Sequence, residues 1–240
     1  MLLRLMPLVV FLTMLLGTSK AEDPAWKYKS VKVEGWTLHI SEQLIESDKA
    51  ATDKAVQLLI LQLQEVVKVV PKDVVGQLRS VPLWFSSEYA GIPPGAEYHP
   101  SEDWLKENKR NPKMAKSVEF SNIRIFEQET RRMPNFALHE LAHAYHDRFL
   151  RDGYENSDVK AAFENAKNEQ SYENVEQRHG DGRSSNGEAY AMTNPMEYFA
   201  ECSESFFSTN DFYPFNREEL REHDPIMYQM LQTLWKCPLE

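Results

Sequence analysis

Hydrophobic residues in the first half of the chain recur at two different spacings, and each spacing predicts a type of element. Residues 31–40 alternate between apolar and polar side chains, which predicts a strand or a hairpin. Residues 47–70 carry apolar side chains at helical spacing until Pro71, which indicates one long amphipathic helix. Two short apolar runs, residues 81–85 and 118–125, are further strand candidates.

The second half of the chain has mainly helical spacing. Residues 91–112, rich in Gly, Pro and polar side chains, are predicted to be a loop with one helical turn near Trp104. Residues 171–189 contain three glycines and are also predicted to be a loop. The predicted helices cover residues 134–150, 159–166, 195–208, a short segment near Glu218 and residues 225–235. Because strands come early and helices follow, the fold class is expected to be α+β, with a small mixed sheet and a helical C-terminal part.

The N-terminal segment is typical of an export signal. Residues 5–16 are almost wholly apolar, follow Arg4 and precede small residues that end at Ala21. This pattern predicts a secretory signal peptide covering residues 1–21. A membrane anchor is the alternative, but a spanning helix needs about 20 apolar residues. We therefore expect a secreted protein whose residues 22–240 form a single domain without a membrane span.

The net charge of the chain limits the classes of molecule that it can bind. The 240-residue chain has 27 Lys and Arg against 37 Asp and Glu, a formal net charge of −10. This balance argues against nucleic acid and anionic membranes as partners.

The two cysteines, Cys202 and Cys237, could form a disulfide in an exported protein or remain two separate thiols. The sequence leaves both possibilities open, as it does the oligomeric state.

Candidate chemistry lies on the helix predicted for residues 134–150. It contains His139-Glu140-Leu141-Ala142-His143, the pattern H-E-x-x-H. Positions i and i+4 lie on the same helix face, so two imidazoles can meet one zinc ion. The glutamate between them can take a proton from metal-bound water. Leu138, Leu141, Ala142, Tyr145 and Phe149 form an apolar stripe roughly opposite the histidines, which predicts that one side packs into a core.

A zinc site needs at least one more protein ligand. His146 shares the face but lies about 10.5 Å along the axis from His139 at ~1.5 Å per residue, too far for three ligands on one helix to reach one ion. We expect His146 to be exposed or to lie behind the ligands. The metzincin pattern would require Gly at position 146 and His at position 149, so that class is excluded by His146 and Phe149.

Glu197 is a better candidate for the third ligand. Glu197 and Glu201 are four residues apart on the predicted helix 195–208, so one can bind metal while the other orients a ligand histidine, most simply His139. Asn194 and Pro195 also make Glu197 a residue of a helix start. The helix-start interpretation explains Glu197 but not Glu201. It is compatible with Glu197 as a metal ligand.

These motifs together resemble one metallopeptidase group. The first motif, followed by Tyr190-Ala191-Met192-Thr193-Asn194-Pro195-Met196-Glu197-Tyr198-Phe199-Ala200-Glu201, is similar to the gluzincins that include the anthrax lethal factor catalytic domain and the Mlc titration factor peptidase. The resemblance covers roughly residues 136–207. It implies a zincin-like fold, one Zn²⁺ per chain held by His139, His143 and Glu197, catalysis assisted by Tyr190, and a peptide or protein substrate.

The function expected from these residues is peptide hydrolysis by a zinc-bound water with Glu140 as the general base. A non-catalytic secreted zinc protein and a metal-dependent amidase with a non-protein substrate are the alternatives. The intact Glu140 argues against the first of these, while the second would use the same chemistry. Three further predictions concern the cleft: His179 as an additional donor or a solvated loop residue, His99 in a cleft wall, and residues 119–125 as the edge strand that holds a peptide.

Overall fold

The computed structural model describes residues 26–238. The predicted signal peptide, residues 1–21, lies outside the described residues, so its prediction stays a prediction. Within residues 26–238, no helix is both long and apolar enough to cross a membrane. The described residues form a mixed α+β fold with a small sheet and many helices, as the sequence predicts.

A five-stranded mixed sheet forms one layer. Its strands are β1 (Tyr28–Val33), β2 (Trp36–Ser41), β3 (Leu83–Phe85), β4 (Ala96–His99) and β5 (Ser117–Phe120), in the order β1-β2-β3-β5-β4. The three central strands are parallel, and the outer strands β1 and β4 are antiparallel to their neighbours. The predicted hairpin is confirmed. Its turn residues Glu34 and Gly35 have φ of 47° and 94°, a conformation that Gly adopts readily.

Two predictions for this sheet are wrong. The strand candidate 118–125 ends at Phe120 and is followed by a short 3-10 turn at Ile123–Ile125. The strand β5 lies between β3 and β4, so residues 119–125 are not an edge. The edge strand next to β5 is β4, which lies inside the segment predicted to be a loop. Its four residues, Ala96–His99, are too few to show a spacing, and pairing with β5 makes them a strand.

Ten helices of the described chain pack on and beside this sheet. Those predicted after residue 134 are confirmed to within a few residues, as is the long helix after residue 47. Their bounds are α1 (Glu42–Ser47), α2 (Lys49–Val69), α3 (Lys72–Leu78), α4 (Glu102–Glu107), α5 (Phe126–Arg132), α6 (Phe136–Phe149), α7 (Ser157–Glu169), α8 (Pro195–Phe207), α9 (Arg217–His223) and α10 (Pro225–Leu234).

The predicted loop 171–189 contains a two-stranded hairpin, β6 (Val175–Arg178) and β7 (Ser184–Gly187). Its side chains are mostly polar and half-buried or exposed, so no apolar alternation reveals it. Contacts with the segment after α8 hold it, because Gln177 bridges to Phe212 and the Arg178 N–H donates to the Asp211 carbonyl at 2.8 Å. The loop prediction is therefore wrong for this hairpin.

Helix α6 is the central element of the domain, packed against α2, α8 and β4. Its N-terminus is buried, so its free N–H groups need partners inside the protein. The Asn135 side chain accepts from the Leu138 N–H at 3.0 Å, and Gln62 of α2 accepts from the Ala137 N–H at 2.9 Å. The predicted apolar stripe is buried except for the half-buried Phe149, and the face of the histidines is buried as well.

The C-terminal part closes the core behind α6 and α8. Trp235 is fully buried, stacks on Tyr145 with ring centroids 4.3 Å apart, and donates its indole N–H to Ser203 of α8 at 3.0 Å. Cys202 is buried, Cys237 is half-buried, and both are free thiols. Of the two possibilities for the cysteines, the structure has the separate thiols and not the disulfide. Packing of Trp235, and not a covalent link, therefore holds the C-terminal segment.

Candidate active site

Helix α8 presents Glu197 to α6 from a well-defined N-terminus. The Asn194 side chain accepts from the N–H groups of Met196 and Glu197, both at 2.9 Å, and Pro195 occupies the first turn. This cap determines where the first turn of α8 begins. The helix-start interpretation of Glu197 is thus correct, and it also directs the carboxylate toward the histidines of α6.

His139, His143 and Glu197 bring three metal-binding atoms together. The two Nε2 atoms are 3.2 Å apart, and the Glu197 Oε2 lies 3.3 Å from that of His139 and 3.1 Å from that of His143. Tetrahedral zinc with bonds of ~2.0–2.1 Å places its ligand atoms about 3.3 Å apart. The residues present therefore fit one small tetrahedral cation, and two imidazoles with one carboxylate are a donor set that zinc accepts.

The same three residues shift one another's protonation. Burial alone would raise the pKa of Glu197, but hydrogen bonds and charges of His139 and His143 hold that pKa well below its usual range. The carboxyl is therefore ionised at neutral pH, the form that can bind a cation.

Glu140 is held beside this cluster by the edge strand. Its Oε2 accepts the backbone N–H of Tyr98 at 2.8 Å. Burial raises the pKa of Glu140 above its ordinary value, and the charges of His139 and His143 oppose this only in part. A general base works best when its pKa lies nearer the working pH, so the raised value suits proton transfer.

The atom of His139 that faces away from the cluster, Nδ1, contacts two buried carboxylates of α8. Glu204 Oε2 is 3.3 Å away, within hydrogen-bond distance, whereas Glu201 Oε1 is 3.6 Å away, outside it. The structure thus brings the predicted Glu201 beside His139 and places a second carboxylate, Glu204, slightly nearer to Nδ1. Glu204 was missed, although positions 197, 201 and 204 follow the i, i+4, i+7 spacing of one helix face.

His146 is neither exposed nor a member of the cluster. It is fully buried, and its ring packs against Tyr154 and Phe199 with centroids 5.1 and 4.9 Å apart. Neither ring nitrogen has a hydrogen-bond partner among the described residues. Burial lowers its pKa to about 4, so the ring is neutral at physiological pH. Of the two predicted alternatives, exposed or behind the ligands, the structure has the second, where His146 serves packing.

The cluster lies in an open cleft of about 660 Å³, lined on one side by β4 and on the other by α8 and the segment around Phe212. Tyr190 lines this cleft from a short 3-10 turn and is 49% exposed. Burial, and then the nearby charge of Glu197, raise its pKa, so the phenol keeps its proton. The structure thus places Tyr190 in the lining of the cleft that holds the cluster.

A second tyrosine of the cleft, Tyr154, was missed. It follows Gly153, which has φ of 54° and passes so close to α6 that a Cβ there would lie 2.7 Å from the Asp147 carbonyl oxygen. This close approach requires glycine and carries Tyr154 to the cleft wall. A side chain larger than that of glycine at position 153 would therefore change the shape of this wall.

The other two histidines of the sequence predictions lie outside the cleft lining. His179 is half-buried in the β6–β7 turn, where its Nε2 contacts the Ser185 hydroxyl at 2.9 Å, so it is a loop residue and not an additional donor of the cleft. His99 is buried at the end of β4, where its Nε2 contacts Glu119 at 2.8 Å. It supports the cleft wall from behind and does not line the cleft.

Glu119 is the centre of a buried ion-pair network that anchors β4. Arg110, itself 2% exposed, donates to Glu119 at 2.7 Å and to Glu97 of β4 at 3.2 Å, and Tyr89 donates to the other Glu119 oxygen at 2.6 Å. The Arg110 guanidinium also stacks over the Tyr89 ring at 3.8 Å. Although Glu97, His99 and Glu119 have metal-binding atoms close together, this guanidinium already supplies the positive charge.

One comparison with known proteins identifies a family. The model for "Glucose-regulated metallo-peptidase M90" matches residues 114–236, half of the chain, including α6 and α8 with all members of the cluster. No curated protein and no solved structure matches significantly. The family match agrees with the resemblance to the Mlc titration factor peptidase and does not test the one to the lethal factor domain. The chain belongs to the glucose-regulated metallopeptidase family M90.

Proposed function

We propose that this metallopeptidase is a secreted, zincin-like zinc enzyme that hydrolyses peptide bonds with Glu140 as the general base. The observation that carries the proposal is the set of three donor atoms 3.1–3.3 Å apart in an open cleft, with Glu140 beside them. A structural zinc site is usually closed by four protein ligands, whereas a catalytic one keeps a position for water or substrate. Secretion rests on the N-terminal signal pattern.

Zinc would be held by His139, His143 and Glu197. When bound, the ion supplies Lewis acidity, which lowers the pKa of water and polarises a carbonyl. Glu140 takes the proton of the attacking water and later delivers it to the leaving amine. Its hydrogen bond from the Tyr98 N–H leaves Oε2 oriented, so little reorganisation is needed before the proton moves.

The edge strand β4 supports a peptide as the substrate. The Tyr98 N–H points away from β5 and toward Glu140, so the free edge of β4 faces the cluster. Gly95, Ala96 and Glu97 line the same cleft. An extended peptide can add to such an edge as a further strand, which places a scissile carbonyl near the cluster. Strand β4, and not residues 119–125, is therefore the edge strand proposed to hold a peptide.

Tyr190 is proposed to donate its phenolic hydrogen to the oxyanion that develops on the scissile carbonyl. Replacing Tyr190 by Phe is expected to lower kcat by about 10²–10³-fold, the usual effect of removing one oxyanion donor. Zinc affinity and KM should change little, because the hydroxyl contacts neither ligands nor fold in the described residues. Steady-state kinetics with a cleaved peptide, together with zinc content, measure this. A Tyr190→Phe enzyme with wild-type kcat would exclude the role.

The experiment that tests the proposed function compares the purified residues 22–240 with Glu197→Ala for zinc content and for cleavage of an unbiased peptide library. We expect one zinc per wild-type chain and peptide cleavage. Loss of the carboxylate ligand should weaken zinc binding by more than the ~100-fold typical of a residue that only supports a ligand. The exposed Glu164 of α7 provides the control Glu164→Gln, which should match the wild type.

Other outcomes separate the alternatives. Zinc binding without cleavage of any peptide would favour a zinc-dependent amidase with a non-protein substrate or a non-catalytic zinc protein. A wild-type chain without bound zinc under metal-replete conditions would contradict the zinc assignment itself. Export is tested independently, since fusion of residues 1–21 to a reporter should direct it through the secretory pathway.

A further inference from the structure

Glu204 is the most buried acid of the site and lies behind a proposed ligand. Its side chain has 0% exposure, and its Oε2 is 3.3 Å from the Nδ1 of His139. Its other oxygen, Oε1, has no hydrogen-bond partner among the described residues. A carboxylate buried in this way is costly unless a charge or a hydrogen bond compensates it.

Little else in the described chain compensates Glu204. Arg132, whose charge acts on Glu204, is already paired with Glu129 at 2.8 Å and with Asp211 at 2.9 Å. A second buried carboxylate, Glu201, stands beside Glu204, with metal-binding atoms of both and of His139 within 4.8 Å of one another. Two such acids repel each other. The remaining compensation for Glu204 comes from His139 and from a cation bound at the Nε2 of His139.

The two acids differ in what they bind. The Glu201 Oε2 accepts from the Asn210 amide at 3.1 Å, and its Oε1 lies 3.6 Å from His139. Glu204 has no such second partner and is nearer to the histidine. If His139 binds a cation through Nε2, its hydrogen must be on Nδ1, and one N–H can donate well to only one acceptor.

We propose that Glu204 is the positioning residue of the metal site: it accepts the Nδ1–H of His139 and orients Nε2 toward zinc. The inference rests on the proposed function, since it requires zinc at His139. It assigns the role to Glu204, with Glu201 held in place by Asn210.

The test measures zinc affinity and thermal unfolding of wild type, Glu204→Gln and Glu201→Gln, each with zinc and after chelation, at pH 8. Glu204→Gln should weaken zinc binding by about 10–100-fold, as expected when a ligand loses its supporting acceptor. The zinc-free Glu204→Gln protein should unfold within about 2–4 °C of the wild-type temperature, because the amide keeps the shape of the side chain. Glu201→Gln should weaken zinc binding less. The control Glu164→Gln should change neither quantity.

This pairing of effects distinguishes positioning from a structural role. If Glu204 served only the fold, Glu204→Gln would lower the unfolding temperature of the zinc-free protein and leave intrinsic zinc affinity unchanged, which would overturn the inference. A larger loss of affinity in Glu201→Gln than in Glu204→Gln would overturn it as well. Failure of the wild type to bind zinc would instead contradict the proposed function, and the inference with it.

A second measurement needs no folded Glu204 variant. In the zinc-loaded wild type, the Nδ1–H proton of His139 should give a slowly exchanging, low-field NMR resonance, because a buried carboxylate accepts it. The resonance should persist in Glu201→Gln. Its disappearance in that variant would assign the acceptor to Glu201 and overturn the inference.

Discussion

Replacing Glu140 by Gln is expected to lower kcat for peptide cleavage by about 10²–10⁴-fold, the contribution of a positioned general base. The amide keeps the shape of the side chain and can still accept the Tyr98 N–H, so the cleft should remain intact. It cannot take a proton from water. Zinc content should equal that of the wild type, because Glu140 is not among the three proposed ligands. Single-turnover kinetics on zinc-loaded protein measure the effect.

Glu140→Gln is informative because it should lower kcat and leave zinc binding unchanged. Glu164→Gln removes the same charge from the exposed face of α7 and should retain wild-type kcat. A zinc-loaded Glu140→Gln enzyme that cleaved at the wild-type rate would show that another group takes the proton. Loss of zinc in the same variant would show that Glu140 contributes to metal binding, contrary to the proposed mechanism.

Replacing Arg110 by Met is expected to lower the free energy of unfolding by about 3–5 kcal/mol, the usual cost of removing one partner of a buried ion pair. Arg110 and Glu119 are 2% and 1% exposed, and the pair distance is 2.7 Å. Without the guanidinium, Glu119 keeps a charge that water cannot reach. Strand β4 also loses the link from Arg110 to Glu97. Urea denaturation followed by tryptophan fluorescence and circular dichroism measures the loss.

A surface pair provides the matched control. Arg124, with 58% of its side chain exposed, donates to Asp48 at 2.9 Å, and Arg124→Met should cost at most about 1 kcal/mol. The double variant Arg110→Met/Glu119→Gln should recover part of the stability, since the unpaired charge is removed. Equal losses for Arg110→Met and Arg124→Met would mean that the Arg110 network contributes little to the fold.

Glu204 illustrates which features of the active site could be predicted from the sequence. H-E-x-x-H determines the relation of His139 to His143, because helix geometry alone places residues i and i+4 on one face. The same argument relates Glu197, Glu201 and Glu204 to one another on α8. It cannot say which of the two rear carboxylates lies nearer to His139, because that depends on how α6 and α8 cross.

Strands and buried charges depended most on the tertiary structure. The edge strand β4 and the hairpin β6–β7 consist of four-residue strands that show no spacing of their own, and each becomes a strand through pairing with a partner. The burial of Arg110 and Glu119 is equally invisible in the sequence, where charged residues are expected at the surface.

The sequence by itself predicted the candidate metal site on α6, the order of the major helices and the α+β class, because these follow from spacings within single segments. The resemblance of its two motifs to known families indicated a metallopeptidase. The tertiary structure alone decided that β4 is the edge facing Glu140, that His139 lies nearer to Glu204 than to Glu201, that Tyr154 lines the cleft, and that the cysteines stay apart. Each of these depends on contacts between segments distant in the chain, and such contacts are selected by the packing of the whole domain.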